Sequence, residues 1–151
     1  MLRVTISSSG YAREGDLEQL NDASLVDDDG LETVVTISLF TDALATEDEL
    51  KKYGLPQRGY WFDAYDPDPN LNTGSKLWLL EGQTITADTL TFAKTACDEA
   101  LAWMVAEGAA SRVENTVTRL GDDGIAGETV IYQPTDPRSP YRLTWEAHFA
   151  V

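Results

Sequence analysis

Near the C-terminus, apolar Tyr141, Leu143, Trp145, Ala147 and Phe149 alternate with polar Arg142, Thr144, Glu146 and His148. A period of two sends successive side chains to opposite faces, so this run predicts a β-strand with one buried face. Val113 to Leu120 and Ile125 to Gln133 are strand-like too, and they flank Gly121-Asp122-Asp123-Gly124, which reads as a hairpin turn. Upstream the spacing changes to that of a helix. Leu90, Ala93, Cys97, Leu101, Met104 and Val105 fall on one face, Thr86 stands where a cap is needed, and Gly108 marks the stop.

The first half is less regular. Leu2, Val4 and Ile6 alternate with Arg3 and Thr5, a short strand, and residues 7–22 form a polar, glycine-containing loop or arm. Asp27-Asp28-Asp29-Gly30 reads as a helix start, with Asp29 as cap and Glu32 reaching back to it. Leu31, Val34, Val35 and Leu39 then keep helical spacing, which predicts a helix from about Leu31 to Thr41; β-branched Val35, Thr36 and Ile37 weigh against it. Ala45 to Leu55 is a solvated helical or turn-rich piece ending at Gly54 and Pro56. Residues 57–73 contain two Asp-Pro steps and read as loop, after which Ser75 can cap a short helix carrying Leu77, Trp78 and Leu80. Helices followed by a meander predict an α+β fold, with the helices packed on one face of a C-terminal three-stranded antiparallel sheet. Residues 1–151 read as one domain, with 1–22 as a possible N-terminal strand and arm.

Composition narrows the function. The net charge is −15, and residues 1–50 alone carry two basic and twelve acidic side chains. Such a field repels phosphate backbones and argues against a nucleic-acid partner; solubility explains it more simply than electrostatic docking. No stretch approaches the ~20 apolar residues of a membrane span, and the N-terminus lacks a signal-peptide pattern, so a reducing cytoplasm is expected before any assembly. Cys97 is the single cysteine and lies among alanines, as core filler rather than a nucleophile.

Candidate chemistry is sparse. Asp66, Asp68, Asn70 and Asn72 alternate like the oxygen ligands of a calcium loop, but Leu71 stands where such a loop needs glycine, and Leu77 where it needs glutamate. No metal or cofactor is therefore expected. Glu32, Asp42 and Asp63 are the carboxylates best placed for a glycoside-hydrolysing pair, although helix capping accounts for Glu32 and a turn or a salt bridge to Arg58 for the two aspartates. A catalytic serine elbow is lacking, so no catalytic residue is assigned. Arg58, Trp61, Lys76 and Trp78 place basic residues beside tryptophans, a combination found both at interface hot spots and in cores. Trp78, with Leu77 and Leu80 beside it, reads as core, whereas Arg58 and Trp61 fit either role.

Several of these segments share a resemblance. Asp29-Gly30-Leu31-Glu32-Thr33, Ser38-Leu39-Phe40-Thr41-Asp42, Arg58-Gly59-Tyr60-Trp61, Gly74-Ser75-Lys76-Leu77-Trp78-Leu79 and Ala100-Leu101-Ala102-Trp103 occur in this order. Together they resemble the baseplate family of Mu-like contractile phages, gene product forty-six, itself similar to gene product twenty-five of T4-like phages. The likeness covers about residues 22–110, and more loosely the tail to Trp145. The chain departs from the family pattern at Ala43 and Leu44, where an arginine is usual, and at Tyr60-Trp61-Phe62-Asp63, where a Trp-Trp-Gly-Asp run is usual.

The resemblance implies a non-enzymatic structural protein of the virion tail baseplate, assembled in the host cytoplasm at six copies per baseplate. It would join other wedge proteins and help to initiate the tail sheath by contacts with sheath or tube subunits. A tail-associated, lysozyme-like glycan hydrolase using paired carboxylates is the alternative. The expected contacts are Arg58, Trp61 and Lys76, with Tyr141, Arg142, Thr144 and Glu146 on a final strand whose edge can accept a neighbour's strand. No nucleic acid or membrane partner is expected.

Overall fold

A computed structural model describes residues 2–8, 23–59, 73–135, 138 and 140–149, with side chains described from residue 30 onward. Strand β1 (Leu2–Ser8) is followed by helix α1 (Ala23–Phe40), helix α2 (Glu47–Tyr53), a 3-10 turn (Leu77–Leu80) and helix α3 (Ala87–Ala106). Strands β2 (Arg112–Leu120), β3 (Gly124–Tyr132) and β4 (Tyr141–Phe149) complete the order.

The α+β class holds, with one change to the sheet. Among the described residues it has four strands in the order β1-β4-β3-β2, all antiparallel, because β1 adds to the outer side of β4 with Leu2 opposite Phe149 and Ser8 opposite Leu143. β4 also pairs with β3, Ile125 facing Ala147 and Ile131 facing Tyr141. The expectation that Tyr141–Phe149 offers a docking edge is thereby overturned, since both backbone edges of β4 are occupied. Among the described strands the free edges belong to β1 and β2.

Alternation along β4 falls as its sequence dictates, with Tyr141, Leu143, Trp145, Ala147 and Phe149 buried. These side chains meet Ala93, Ala96, Cys97, Leu101 and Met104 of α3, and Val35 and Leu39 of α1, in one apolar core. Gly127 lies opposite Trp145 in the ladder, and a Cβ there would overlap the indole ring. A glycine in mid-strand is thus what lets the largest core side chain lie flat on the sheet. Phe40 closes the core from α1, meeting Trp145 edge-on at 5.4 Å between ring centroids.

The helix boundaries need two corrections. α1 begins at Ala23, more than two turns before the expected Leu31, so Asp29 and Glu32 lie within the helix rather than at its start. Gly30 costs roughly 1 kcal/mol there relative to alanine, which weakens a helix without ending it. On α3, Val105 is 46% exposed, because one step beyond buried Met104 rotates it off the apolar stripe. The cap of α3 at Thr86 and the stop of α2 at Gly54 follow expectation. Thr86 and Thr89 form a reciprocal cap for α3, Thr46 and Glu49 do the same for α2, and Gly54 ends α2 in the left-handed conformation.

Candidate functional site

Four of the segments singled out in the sequence meet beside α1, around Trp78. The chain leaving α1 and the chain entering the 3-10 turn form a short parallel bridge between Asp42 and Ser75. In it the Ala43 amide donates to the Ser75 carbonyl at 3.0 Å and the Ser75 amide donates to the Thr41 carbonyl at 2.9 Å. Gly74 makes this approach possible. Its φ is 100°, and a Cβ would overlap the Thr41 carbonyl oxygen.

Ser75 was expected to cap the short helix, but Lys76 occupies that position. The Ser75 hydroxyl instead donates to the Leu39 carbonyl while accepting from the Leu77 amide at 3.3 Å, so one buried side chain ties α1 to the 3-10 turn. Trp78 is buried, as expected, and its Nε1 donates to the Ala43 carbonyl at 2.8 Å. Ala45 and Leu79 pack with it, flanked by Leu50, Tyr53, Leu55 and Phe92, a satellite core beneath α2.

Polar side chains frame this satellite. Arg58 donates from both terminal nitrogens to Glu81, at 2.9 and 3.0 Å, stands 3.7 Å from Asp42, and lies 5.4 Å from the centre of the Trp78 ring. Lys76 reaches Glu49 at 2.9 Å, and Glu49 also accepts from the Thr46 amide at 2.8 Å. Gln57 pairs with both backbone groups of Ala45. Trp103 of α3 donates to Ser38 of α1 at 3.3 Å.

Two carboxylates here titrate in opposite directions. Partial burial and the neighbouring Glu81 raise the Asp42 pKa, with the Arg58 guanidinium opposing them. Burial pushes Glu49 the same way, but hydrogen bonds from Thr46 and Lys76 outweigh it and hold its carboxyl below the usual range. Arg58 is held still more firmly in its charged form by Glu81. Cys97 sits in the main core, where burial pushes its thiol up to about 12, so it stays protonated at neutral pH.

The sequence-predicted contacts are distributed unevenly. Arg58 and Lys76 join the bracket around Trp78, whereas Trp61, Asp63 and the Asp66–Asn72 alternation lie outside the described residues. Tyr141 is buried, with its hydroxyl 3.5 Å from Glu32, so it is no surface contact. Arg142 pairs with Glu128 at 3.2 Å on the far face of the sheet, where Glu146 is exposed and Thr144 is half-buried. Glu32 and Asp42 have separate partners, Tyr141 for one and Arg58 for the other, and the structure does not join them into an acid-base pair.

Sequence reasoning missed Glu81, Gln57 and the buried chain from Trp145 to α3. In that chain Trp145 Nε1 donates to Thr129 Oγ1 (3.4 Å), Thr129 to Asn115 Oδ1 (2.8 Å), and Asn115 Nδ2 to Asp98 (2.9 Å). Only the polar residues on the buried face of two predicted strands could have flagged it.

Fold and bracket together define an α+β protein whose helices are locked to one another by tryptophan and serine bonds across the chain. The sequence pattern of the family described as phage protein GP46 matches residues 31–138, a span holding most of α1, the bracket and the hairpin, and the chain belongs to that family. It is 41% identical over 107 residues to baseplate protein gp46 of Escherichia phage Mu, covering 70% of this chain and 71% of that protein. It is 40% identical over 135 residues to Mu-like prophage FluMu protein gp46 of Haemophilus influenzae, covering 87% and 90%.

Proposed function

We propose that the protein is a structural, non-enzymatic component of a contractile phage tail baseplate, acting as a wedge subunit that helps to initiate the sheath. The observation that carries this reading is the similarity to a protein of phage Mu named for the baseplate. On it, the chain resides in the virion tail as one wedge unit, at six copies, after assembly in the host cytoplasm. Its partners are other wedge proteins and sheath or tube subunits.

Two features of the structure support the reading. Arg58, Lys76, Ser75 and Trp103 spend their polar groups bracing the chain against itself, which suits a load-bearing part better than a reaction site. Among the described residues the sheet also ends in two strands, β1 and β2, whose outer backbone edges can accept a neighbour's strand. Docking by strand addition belongs at these edges, with Arg142 and Glu146 on the open face as side-chain contacts.

The test is removal of the gene from its phage, with complementation by a tagged copy. Sheathless or baseplate-less tails, restored by the tagged chain with the tag at the tail tip in electron micrographs, are expected. Normal contractile tails made without the chain would sink the proposal. Peptidoglycan hydrolysis by the purified protein, lost in Glu32→Gln, would replace it with the hydrolase reading.

A further inference from the structure

An open groove of about 660 Å³ lies between α1 and α3, with the Gly74–Lys76 segment also lining it. Each helix gives it a stripe at helical spacing, with Val34, Ile37 and Ser38 on α1 and Ala96, Ala100 and Trp103 on α3. Among the described residues four large hydrophobics are exposed, and three of them, Val34, Ile37 and Trp103, line this groove. A single exposed apolar side chain is ordinary, whereas three on one concavity mark a surface that something covers.

The polar groups of the groove say what kind of occupant fits. Ser38 is taken by Trp103, Ser75 by Leu39 and Lys76 by Glu49, which leaves few convergent donors to orient a small polar ligand. Glu99 and Glu107 stand exposed on the α3 rim with no ion pair among the described residues. Apolar floor and acidic rim therefore ask for an apolar ridge flanked by positive charge. Two helical walls, one of them carrying small Ala96 and Ala100, leave room for the ridge of a third helix.

We propose that this groove docks an amphipathic helix of another protein, apolar on its inner face and carrying Lys or Arg that meets Glu99 and Glu107. The baseplate reading supplies only the source of that helix, a neighbouring tail protein, and the groove's chemistry stands apart from it. A second copy of this chain fits poorly, because its net charge of −15 would bring like charges together at the rim.

The experiment uses the full chain and a fluorescent synthetic helix of about 18 residues, long enough to hold helical structure, with leucine on one face and lysine on its flanks. Saturable binding is expected, weakened about tenfold or more by Ile37→Asp. The double variant Glu99→Lys, Glu107→Lys should do the same from exposed positions that do not touch the core. A peptide of the same composition with its leucines scrambled off one face should bind at least tenfold more weakly. Equal binding of the scrambled peptide, or wild-type affinity in both variants, reduces the effect to bulk charge and overturns the proposal. So does absence of binding up to about millimolar peptide. Sedimentation showing a dimer that Ile37→Asp dissolves would assign the groove to a second copy instead. Because every arm uses purified chain, its failure leaves the tail location untouched, and a failed location test leaves the groove result standing.

Discussion

The sheet with α3 and the bracket around Trp78 are both well-packed regions, but they are built by different means. In the first, contacts follow periodicity: β4 buries alternate residues, α3 buries a stripe, and the hairpin joins neighbours in sequence. In the second, the partners are far apart in the chain, Arg58 with Glu81, Lys76 with Glu49, Trp78 with Ala43, Trp103 with Ser38. The first tolerates many apolar residues of similar size, whereas the second depends on particular donors meeting particular carbonyls. The difference predicts how each fails.

The largest effects should come from the two buried tryptophans. Trp145→Ala and Trp78→Ala should each cost about 3–5 kcal/mol, measured by chemical denaturation. They should differ in what opens. Losing Trp145 removes the centre of the main core, so protection from amide exchange should fall everywhere, while losing Trp78 should first expose the amides of α2 and the 3-10 turn. Identical exchange patterns would mean that the satellite core is not a separate unit.

Smaller effects sharpen the contrast between shape and polarity. Gly74→Ala forces a side chain into a positive φ and against the Thr41 carbonyl, and should cost about 2–3 kcal/mol while leaving the sheet's exchange protection intact. Thr129→Val keeps the volume but strips the hydroxyl that links Trp145 to Asn115, for a loss of about 1–2 kcal/mol. Arg58→Ala should cost about 1 kcal/mol, since its pair with Glu81 is partly open to solvent. A loss from Arg58→Ala larger than that from Gly74→Ala would show that charge, not backbone approach, holds the bracket.

Legibility in the sequence follows the same division. The alternation of Tyr141–Phe149, the hairpin turn and the α3 stripe could be read because their cause is local. The position of β4 could not, because strand order depends on where Leu2–Ser8 pairs, and alternation alone does not rank edges. The start of α1 was misplaced because three aspartates and a glycine resemble a cap, although a helix can run through them when its later turns are buried. Around Trp78, burial of the tryptophan was legible from its apolar neighbours. Glu81 and Gln57 were not, since nothing in spacing pairs them with Arg58 and Ala45.

The smallest predicted effects concern Asp42 and Glu49, both at the bracket and opposite in sign. The Asp42 pKa is raised on folding, so the folded state favours its protonated form. That contribution is complete below the ordinary carboxylate range and is lost as pH rises through the folded value. Asp42→Asn, which mimics the protonated form, should therefore melt slightly above the unmodified protein near pH 7, and the gap should close in acid. The Glu49 pKa is lowered, so its contribution is present at neutral pH and disappears as pH falls through the folded value. Glu49→Gln should melt below the unmodified protein at neutral pH and converge with it in acid. Melting curves of the three proteins between about pH 3 and pH 7 test both claims at once. A lower melting temperature in both variants at neutral pH would mean that Arg58 stabilises ionised Asp42 more than burial and Glu81 penalise it.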